Sequence, residues 1–262
     1  MSEFKIATWN VNSLRVREQQ VIDWLTQHQP DALCLQETKL VDAEFPLTAI
    51  TEAGYHCEFE GQKTYNGVAI LSKAQPQAVS KGIPNFEDDA KRYIAVDLPF
   101  GEHLLRLINV YVPNGQALDS DKFLYKRKWF DALRNSISAD LGQHGELVLV
   151  GDFNITPTDL DVHDPIAWKG KIHCSDTERL MLQTLMASGL YDTFRQHNQA
   201  GEQFSWWDYR GAGYRANAGL RIDLILSSAA MLARSHSCVI DEQPRKHERP
   251  SDHTPVVATY TM

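Results

Sequence analysis

The chain has 262 residues, of which 43% are hydrophobic and 23% charged, and its formal net charge is −8 at pH 7. This composition is that of a folded globular protein; there is no apolar run of the ~18 residues that a membrane span needs, and the first residues lack the apolar stretch of a signal peptide. Taken alone, the negative charge disfavours nucleic acid as a partner, although a site for a divalent cation must itself concentrate carboxylates.

Cysteine usage points to a reducing compartment. Cys34, Cys57, Cys174 and Cys238 form no C-x-x-C pair, which argues against a zinc site or a disulfide framework. Cys34 and Cys238 lie in apolar runs, where a thiol acts as a small buried hydrophobe. We therefore expect a cytoplasmic protein. From the length and the absence of a linker or a membrane span, we also expect a monomer with one domain over residues 1–262 and no association with membranes.

Short segments rich in β-branched and aromatic residues recur along the chain, bounded by Gly, Pro, Asn or Asp, which is the pattern of β-strands. They cover residues 4–11, 32–36, 68–72, 93–98, 105–112, 147–151, 204–207, 222–227 and 255–260. Two of them contain continuous apolar runs, as expected of strands that are covered on both faces.

Three helices are predicted between these strands. Residues 14–27 and 121–141 each place apolar side chains on one stripe, and Ser175 to Glu178 form a capping-box pattern ahead of Leu180, Leu182, Leu185 and Met186. Many strands with few helices indicate an α/β fold in which two packed sheets are covered by helices. The segment 155–173 is predicted to be a long polar loop.

Acidic and amide side chains follow several of the predicted strands. Glu37 comes directly after an apolar strand, and Asn10 ends another, so together they are candidate ligands for Mg²⁺, which prefers oxygen donors. Asp152 and Asn154 flank Phe153, and an extended chain would place the two polar groups on one face and the ring on the other. A simple turn is the alternative for this segment, since Gly, Asp and Asn all favour turns.

A histidine and a tyrosine add to this set. His253 follows Asp252, and Asp223 lies within an otherwise apolar strand, where a carboxylate needs a partner because an unpaired buried charge is costly. Pairing Asp223 with His253 would raise the pKa of the imidazole and favour a cation that binds phosphate. Tyr111 closes another strand, where its phenol can donate to a phosphate oxygen.

Eight motifs in this order resemble the exonuclease III family of DNA-repair nucleases, within the endonuclease/exonuclease/phosphatase superfamily that includes DNase I. They are residues 9–15, 35–39, 66–70, 109–115, 151–154, 204–210, 219–223 and 251–253. The resemblance covers essentially the whole chain and implies a four-layer α/β sandwich, two packed mixed β-sheets flanked by helices. It also implies a Mg²⁺-dependent nuclease, with Mn²⁺ as a substitute, that acts on double-stranded DNA in the bacterial nucleoid. Its expected activities are incision 5′ to abasic sites, removal of 3′ phosphates and other 3′ blocks, and 3′→5′ exonuclease action.

The same resemblance implies roles for single residues. Glu37, with Asn10 nearby, would be the main Mg²⁺ ligand, and Asp252 would be a secondary residue of the metal or phosphate site. Asp152 would orient or deprotonate the attacking water, and Asn154 would hold that water and the phosphate. Both residues would also belong to the metal site. The scissile phosphate would be contacted by Tyr111 and His253, with Asp223 orienting His253.

DNA contacts are implied at further positions. The family has a small apolar pocket for a base-less sugar, and the residues that line it match Trp206, Leu220 and Ile222. The neighbouring Trp207 fits a position in the protein core at least as well as one in the pocket. Two basic stretches are candidate phosphate contacts, with Lys122 and Lys126 in the first; solvated faces are the alternative for both. The second stretch covers residues 245–249.

His173 is a departure from many relatives, which carry a small or apolar residue there. We expect it to narrow the space for duplex DNA and to bias the enzyme towards 3′-end processing; a solvated loop histidine is the alternative. Two other functions stay open at this point: a phosphodiesterase or phosphatase of the same fold acting on inositol phosphates or phospholipids, and an inactive DNA-binding module.

Overall fold

The structure is a computed structural model that describes residues 2–262. Its strands in chain order are β1 Glu3–Asn10, β2 Ala32–Gln36, β3 His56–Glu60, β4 Val68–Ser72, β5 Ala78–Lys81, β6 Tyr93–Phe100, β7 His103–Tyr111, β8 Leu147–Asp152, β9 Leu190–Asp192, β10 Trp206–Trp207, β11 Gly219–Leu220, β12 Asp223–Ser228, β13 Ser235–Ile240 and β14 Val256–Thr261. Twelve of them build two six-stranded mixed sheets, ordered β13-β14-β1-β2-β4-β3 and β5-β6-β7-β8-β12-β9, and β10 pairs with β11. Every strand predicted from the sequence is present, and all four edge strands of the two sheets were missed.

The helices are α1 Leu14–His28, α2 Leu47–Glu52, α3 Asp121–Leu141, α4 Pro165–Trp168, α5 Asp176–Met186, α6 Thr193–His197 and α7 Ala229–Arg234. The capping box of α5 is present, since the Ser175 side chain accepts from the backbone of Glu178. Leu180, in contrast, is 62% exposed, so its predicted place on the apolar face of α5 is wrong.

Side-chain alternation along the strands explains the layering. In β1, Ile6 points into a core shared by the two sheets, while its neighbour Ala7 points into a second core against α1. The outer face of the other sheet packs on α3 and α5 through Trp129, Leu133 and Leu182 among others. The result is four layers, helix, sheet, sheet and helix, which confirms the predicted α/β sandwich.

The segment 155–173, predicted to be a long polar loop, includes short helical elements. It contains a 3₁₀ turn over Asp159–Asp161 as well as α4. Asp161 is completely buried and is held by Arg221 at 2.6 Å and by Arg195 at 2.5 Å. Because a buried carboxylate needs such partners, these ion pairs fix the segment against the sheet.

The strand ends converge at one edge of the sandwich. The registers place Asn10 beside Gln36, and Asp152 beside both Tyr111 and Asp223. Just beneath this edge, the Gln36 amide donates to Asn109 Oδ1 at 2.7 Å and thereby ties the two sheets together inside the protein. Within residues 2–262 none of the helices has the length and apolar character that crossing a membrane requires.

Candidate active site

Two carboxylates from different sheets share one amide at this edge. Asn10 Nδ2 donates to Glu37 Oε1 at 2.8 Å and to Asp152 Oδ2 at 2.9 Å. The Asn10 oxygen accepts from the backbone of Asn12 at 2.9 Å. In this orientation the amide spans the two carboxylates and sets the distance between them.

These carboxylates form a compact group with His253. One ligand atom each of Glu37, Asp152 and His253 lies within 4.8 Å of the other two, and the described residues contain no other such group of three acidic, histidine or cysteine side chains. Two carboxylates facing one space are the donors that Mg²⁺ takes, so the residues fit that ion.

The carboxylate of Glu37 stays ionised. Burial raises its pKa, but Lys39, Asn10 and His253 outweigh burial and hold the pKa below its ordinary value. The nearest cation is Lys39, whose ammonium lies 2.8 Å from Glu37 Oε2 and also donates to Asn12 Oδ1 at 2.6 Å.

Asp152 lies on the other side of the same space and is 1% exposed. Burial raises its pKa to about 7, and this rise persists although His253 and Asn10 act in the opposite direction. A carboxyl group that titrates near neutral pH is suited to accept a proton during a reaction.

His253 forms the predicted pair with Asp223. Its Nδ1 lies 2.8 Å from Asp223 Oδ2, and its Nε2 faces Asp152 Oδ2 at 3.7 Å. Burial lowers the pKa of His253, but Asp223 and Asp152 more than offset burial and raise it to about 10. The imidazole is therefore a cation at neutral pH, held in a fixed orientation by Asp223 and aimed at the carboxylate cluster.

Tyr111 is half-buried at the end of β7 and keeps its proton. Burial, together with Glu37 and Asp152, raises its pKa well above the ordinary value, so the phenol remains a hydrogen-bond donor. The Arg92 guanidinium lies 4.5 Å from the centre of the Tyr111 ring and donates to the Tyr111 carbonyl at 3.1 Å.

The Asn154 backbone has a left-handed φ of 50°, and its N–H donates to Asp152 Oδ1 at 2.9 Å. The extended chain therefore ends at Asp152 and turns at Asn154, so the turn considered as the alternative is present, while Phe153 is completely buried. The Asn154 amide donates to the Val112 carbonyl at 3.0 Å, and its Oδ1 accepts from Asn114 at 3.2 Å.

His173 is 7% exposed, so the alternative of a solvated loop histidine is wrong. Its Nδ1 lies 2.8 Å from the Asn154 carbonyl and its Nε2 lies 3.3 Å from Asn114 Nδ2. A carbonyl only accepts, so Nδ1 carries the proton and Nε2 accepts from Asn114. Burial, reinforced by Lys126, lowers the pKa of His173 to about 4, so the ring is neutral.

The three residues predicted to line an apolar pocket lie together. Leu220 and Ile222 are buried in one cluster with Val162 and Cys174, and the half-buried Trp206 packs against it. Trp207 is completely buried, so the two adjacent tryptophans face opposite sides as expected.

Asp252 lies outside the group formed by Glu37, Asp152 and His253. Its two oxygens accept from Asn12 at 2.9 Å and from Trp206 Nε1 at 3.0 Å. This arrangement favours a role in holding Trp206 over the predicted secondary role in the metal or phosphate site.

The basic stretches divide into surface and buried residues. Lys122 is exposed, but Lys126 is completely buried, so it cannot reach a DNA phosphate and that prediction is wrong. In the second stretch, Arg245 is buried and its guanidinium lies within 6 Å of the rings of Trp207, Tyr209 and Tyr214.

Three residues of the site received no role from the sequence: Lys39, Arg92 and Asn114. Lys39 and Asn114 lie inside quoted motifs, and their spacing from Glu37 and Tyr111 was the available signal. Arg92 precedes β6, and nothing in its local sequence distinguishes it from a surface arginine.

Comparisons with known proteins agree with this geometry. Residues 7–253 match the Endonuclease/Exonuclease/phosphatase family. The chain is 37% identical to exodeoxyribonuclease III of Haemophilus influenzae, over 98% of this chain and 99% of that protein. A Neisseria 3′ phosphatase bound to product DNA hairpin superposes with a TM-score of 0.96 at 48% identity, covering 99% of this chain and 100% of that one. An AP endonuclease from Archaeoglobus fulgidus superposes with a TM-score of 0.92 at 34% identity, with the same coverage.

Proposed function

The chain belongs to the endonuclease/exonuclease/phosphatase family, and we propose that it is a magnesium-dependent DNA-repair nuclease that hydrolyses phosphodiesters in double-stranded DNA. One observation carries the proposal: Glu37, Asp152 and the cationic His253 converge within 4.8 Å of one another at the sheet edge. Two carboxylates suit a hard cation, and the imidazolium suits a phosphate, so the site can bind both partners of a metal-assisted hydrolysis.

Each residue has a task in this proposal. Mg²⁺ on Glu37 and Asp152 would neutralise charge on the phosphoryl oxygens, and Mn²⁺ would substitute for it. Asp152, which shares the Asn10 amide with Glu37, orients the attacking water and accepts its proton. His253 and Tyr111 donate to the phosphate, where negative charge develops, and Asn154 holds the water beside it.

Substrate choice follows from the residues around this centre. Leu220 and Ile222 are 0% and 2% exposed, so the partly exposed Trp206 is the member of this apolar cluster proposed to contact a sugar without its base. We propose incision 5′ to abasic sites together with 3′-phosphatase, 3′-phosphodiesterase and 3′→5′ exonuclease activity. The relatives named above, a 3′ phosphatase and an AP endonuclease, support both parts of this range.

His173 would shift the balance towards 3′ ends. Its buried ring lies between Asn154 and Trp206, with a ring separation of 6.3 Å from Trp206, and so takes up space beside both the catalytic centre and the apolar cluster. His173→Gly removes this ring at a backbone position with φ of 72°, which glycine adopts without strain. The ratio of abasic-site cleavage to 3′-phosphate removal should rise in the variant, and an unchanged ratio would contradict the bias.

The test of the function uses two labelled duplexes, one with an internal abasic analogue and one with a nick bearing a 3′ phosphate. Each is incubated with Mg²⁺ or with EDTA, and Asp152→Asn serves as the inactive control. Mg²⁺-dependent processing of both duplexes, absent from the control, is the expected result. Turnover of an inositol phosphate or a phospholipid without cleavage of DNA would assign the chain to another branch of the fold, and DNA binding without cleavage would make it an inactive module.

The remaining proposals concern the state of the protein. We infer a monomer that folds as one domain over residues 1–262 and acts on the nucleoid in the cytoplasm. Light scattering and localisation of a tagged chain test these points.

A further inference from the structure

Lys126 is a buried cation that has no role in the proposed hydrolysis. It is 0% exposed, and its ammonium donates to Glu178 Oε1 at 2.5 Å, to the Asn154 carbonyl at 2.8 Å and to the Asn114 carbonyl at 3.1 Å. All three N–H bonds are therefore used, and all three acceptors belong to segments outside α3. Apolar residues of similar size often replace buried ion pairs without loss of stability, so burial alone does not account for this arrangement.

Glu178 completes the arrangement from the other side and is also 0% exposed. Its Oε1 accepts from Lys126 and from the backbone N–H of His173 at 3.1 Å. Its Oε2 accepts from the Ser175 hydroxyl at 2.6 Å and from the Ser175 backbone at 3.3 Å; the second bond, with that from the Glu178 backbone to Ser175 Oγ at 3.3 Å, forms the capping box of α5. One carboxylate thus joins the start of α5, the backbone of His173 and the cation on α3.

The pair holds the main chain of the two asparagines whose side chains meet in the active site. Asn114 Nδ2 donates to Asn154 Oδ1 at 3.2 Å, and Lys126 donates to the carbonyls of both residues. The Asn154 carbonyl receives a second donor, Nδ1 of His173, at 2.8 Å. These contacts surround a residue in the left-handed region, which a non-glycine residue adopts at a cost unless its surroundings fix it.

We propose that Lys126 and Glu178 are positioning residues for the active site: the buried ion pair fixes the backbone of Asn154 and Asn114 and the ring of His173, so that the Asn154 carboxamide is aligned for phosphodiester hydrolysis. This inference rests on the proposed function. Displacement of a catalytic group by about 1 Å can lower turnover by about 100-fold, so the pair acts on the rate without touching substrate.

The test is the double variant Lys126→Met/Glu178→Gln. It removes both charges together, so that no unpaired buried charge remains, and Gln at this position retains the capping box. Turnover of the nicked 3′-phosphate duplex should fall about 10- to 100-fold, while KM changes by no more than about threefold, because an interaction acting on alignment lowers kcat. The matched control is Arg134→Met/Asp131→Asn, a pair on the same helix with its charged atoms 3.8 Å apart and its side chains 38% and 69% exposed, and it should turn over like the wild type.

A second measurement tests the positioning role directly, even if the double variant has no measurable activity. Nitrogen-15 NMR at a temperature where circular dichroism shows both proteins folded reports the Asn154 side-chain amide and the proton on Nδ1 of His173. Both resonances should shift or broaden in the double variant and stay in place in the control. Should the double variant not fold, Lys126→Gln/Glu178→Gln, which leaves no unpaired charge and keeps a hydrogen-bonding side chain at both positions, is measured in the same way and should show the same changes with a smaller fall in kcat.

Unchanged kcat with unmoved resonances in a folded variant would overturn the inference. A fall in kcat accompanied by unmoved Asn154 and His173 resonances would also overturn it, because the loss would then arise elsewhere. If the wild type does not cleave DNA, the proposed function fails, while the resonances still decide whether the pair positions these residues.

Discussion

Acidification should destabilise this protein through His173. In the folded chain burial lowers the pKa of this histidine to about 4, against 6.5 for the unperturbed group. The unfolded chain therefore binds more protons between these two values, so the free energy of unfolding falls as the pH drops below 6.5 and levels off near 4. The slope approaches about 1.4 kcal/mol per pH unit between these two values, so His173 contributes a loss of about 2 kcal/mol between pH 7 and pH 5.

Urea unfolding of the metal-free wild type and of His173→Asn, each at pH 7 and pH 5, measures this loss. Asparagine tolerates the left-handed backbone at this position and can donate to the Asn154 carbonyl, but it does not titrate. The variant should therefore lose about 2 kcal/mol less than the wild type on acidification, and the exposed His103→Asn should behave like the wild type. An equal loss in the wild type and in His173→Asn would refute the view that this ring is buried and neutral.

Three further predictions concern single residues. Gly151→Ala should lower the free energy of unfolding by at least about 2 kcal/mol and reduce activity, because its Cβ would lie 1.9 Å from the Val110 carbonyl oxygen. Urea unfolding measures the stability and cleavage of the nicked duplex measures the activity; a variant as stable and active as the wild type would contradict the packing. Asp223→Asn should lower single-turnover cleavage by about 100-fold or more, since the amide no longer stabilises the His253 cation, and a change below about threefold would count against that pairing. Arg221→Met should lower the free energy of urea unfolding by about 3–5 kcal/mol, because it leaves the buried carboxylates of Asp161 and Asp192 without this partner. A loss under about 1 kcal/mol would show that other groups pair with these carboxylates or that they are neutral.

The sequence predicts the interior of the fold better than its borders. Strands such as Ala32–Gln36 are apolar on both faces and give a clear pattern, because the sheets are covered on both sides. The missed edge strands, for example His56–Glu60 and Ala78–Lys81, are partly exposed and mix polar with apolar residues. They form because a neighbouring strand offers its backbone for pairing, and this cause is not visible in a local segment.

The site shows a similar division. Asp152 and Glu37 could be identified because each follows a buried strand, and strand ends meet at a sheet edge. Lys126 was misjudged from its basic neighbours, although it lies in helical phase with the buried Phe123 and Phe130 and so belongs to the inner stripe of α3. Its partner Glu178 is 52 residues away, and no local pattern connects the two.

The proposed metal site is tested most directly by the Mg²⁺ dependence of single-turnover cleavage, measured for the wild type and for Glu37→Gln. The substrate is the nicked duplex with a 3′ phosphate, and DNA binding is measured in parallel in Ca²⁺. Removal of one of two carboxylates should raise the Mg²⁺ concentration for half-maximal rate by about tenfold or more, with DNA affinity unchanged within about threefold. The same Mg²⁺ dependence in both proteins would contradict the assignment of the metal to Glu37 and Asp152 and the metal-dependent hydrolysis proposed for this site.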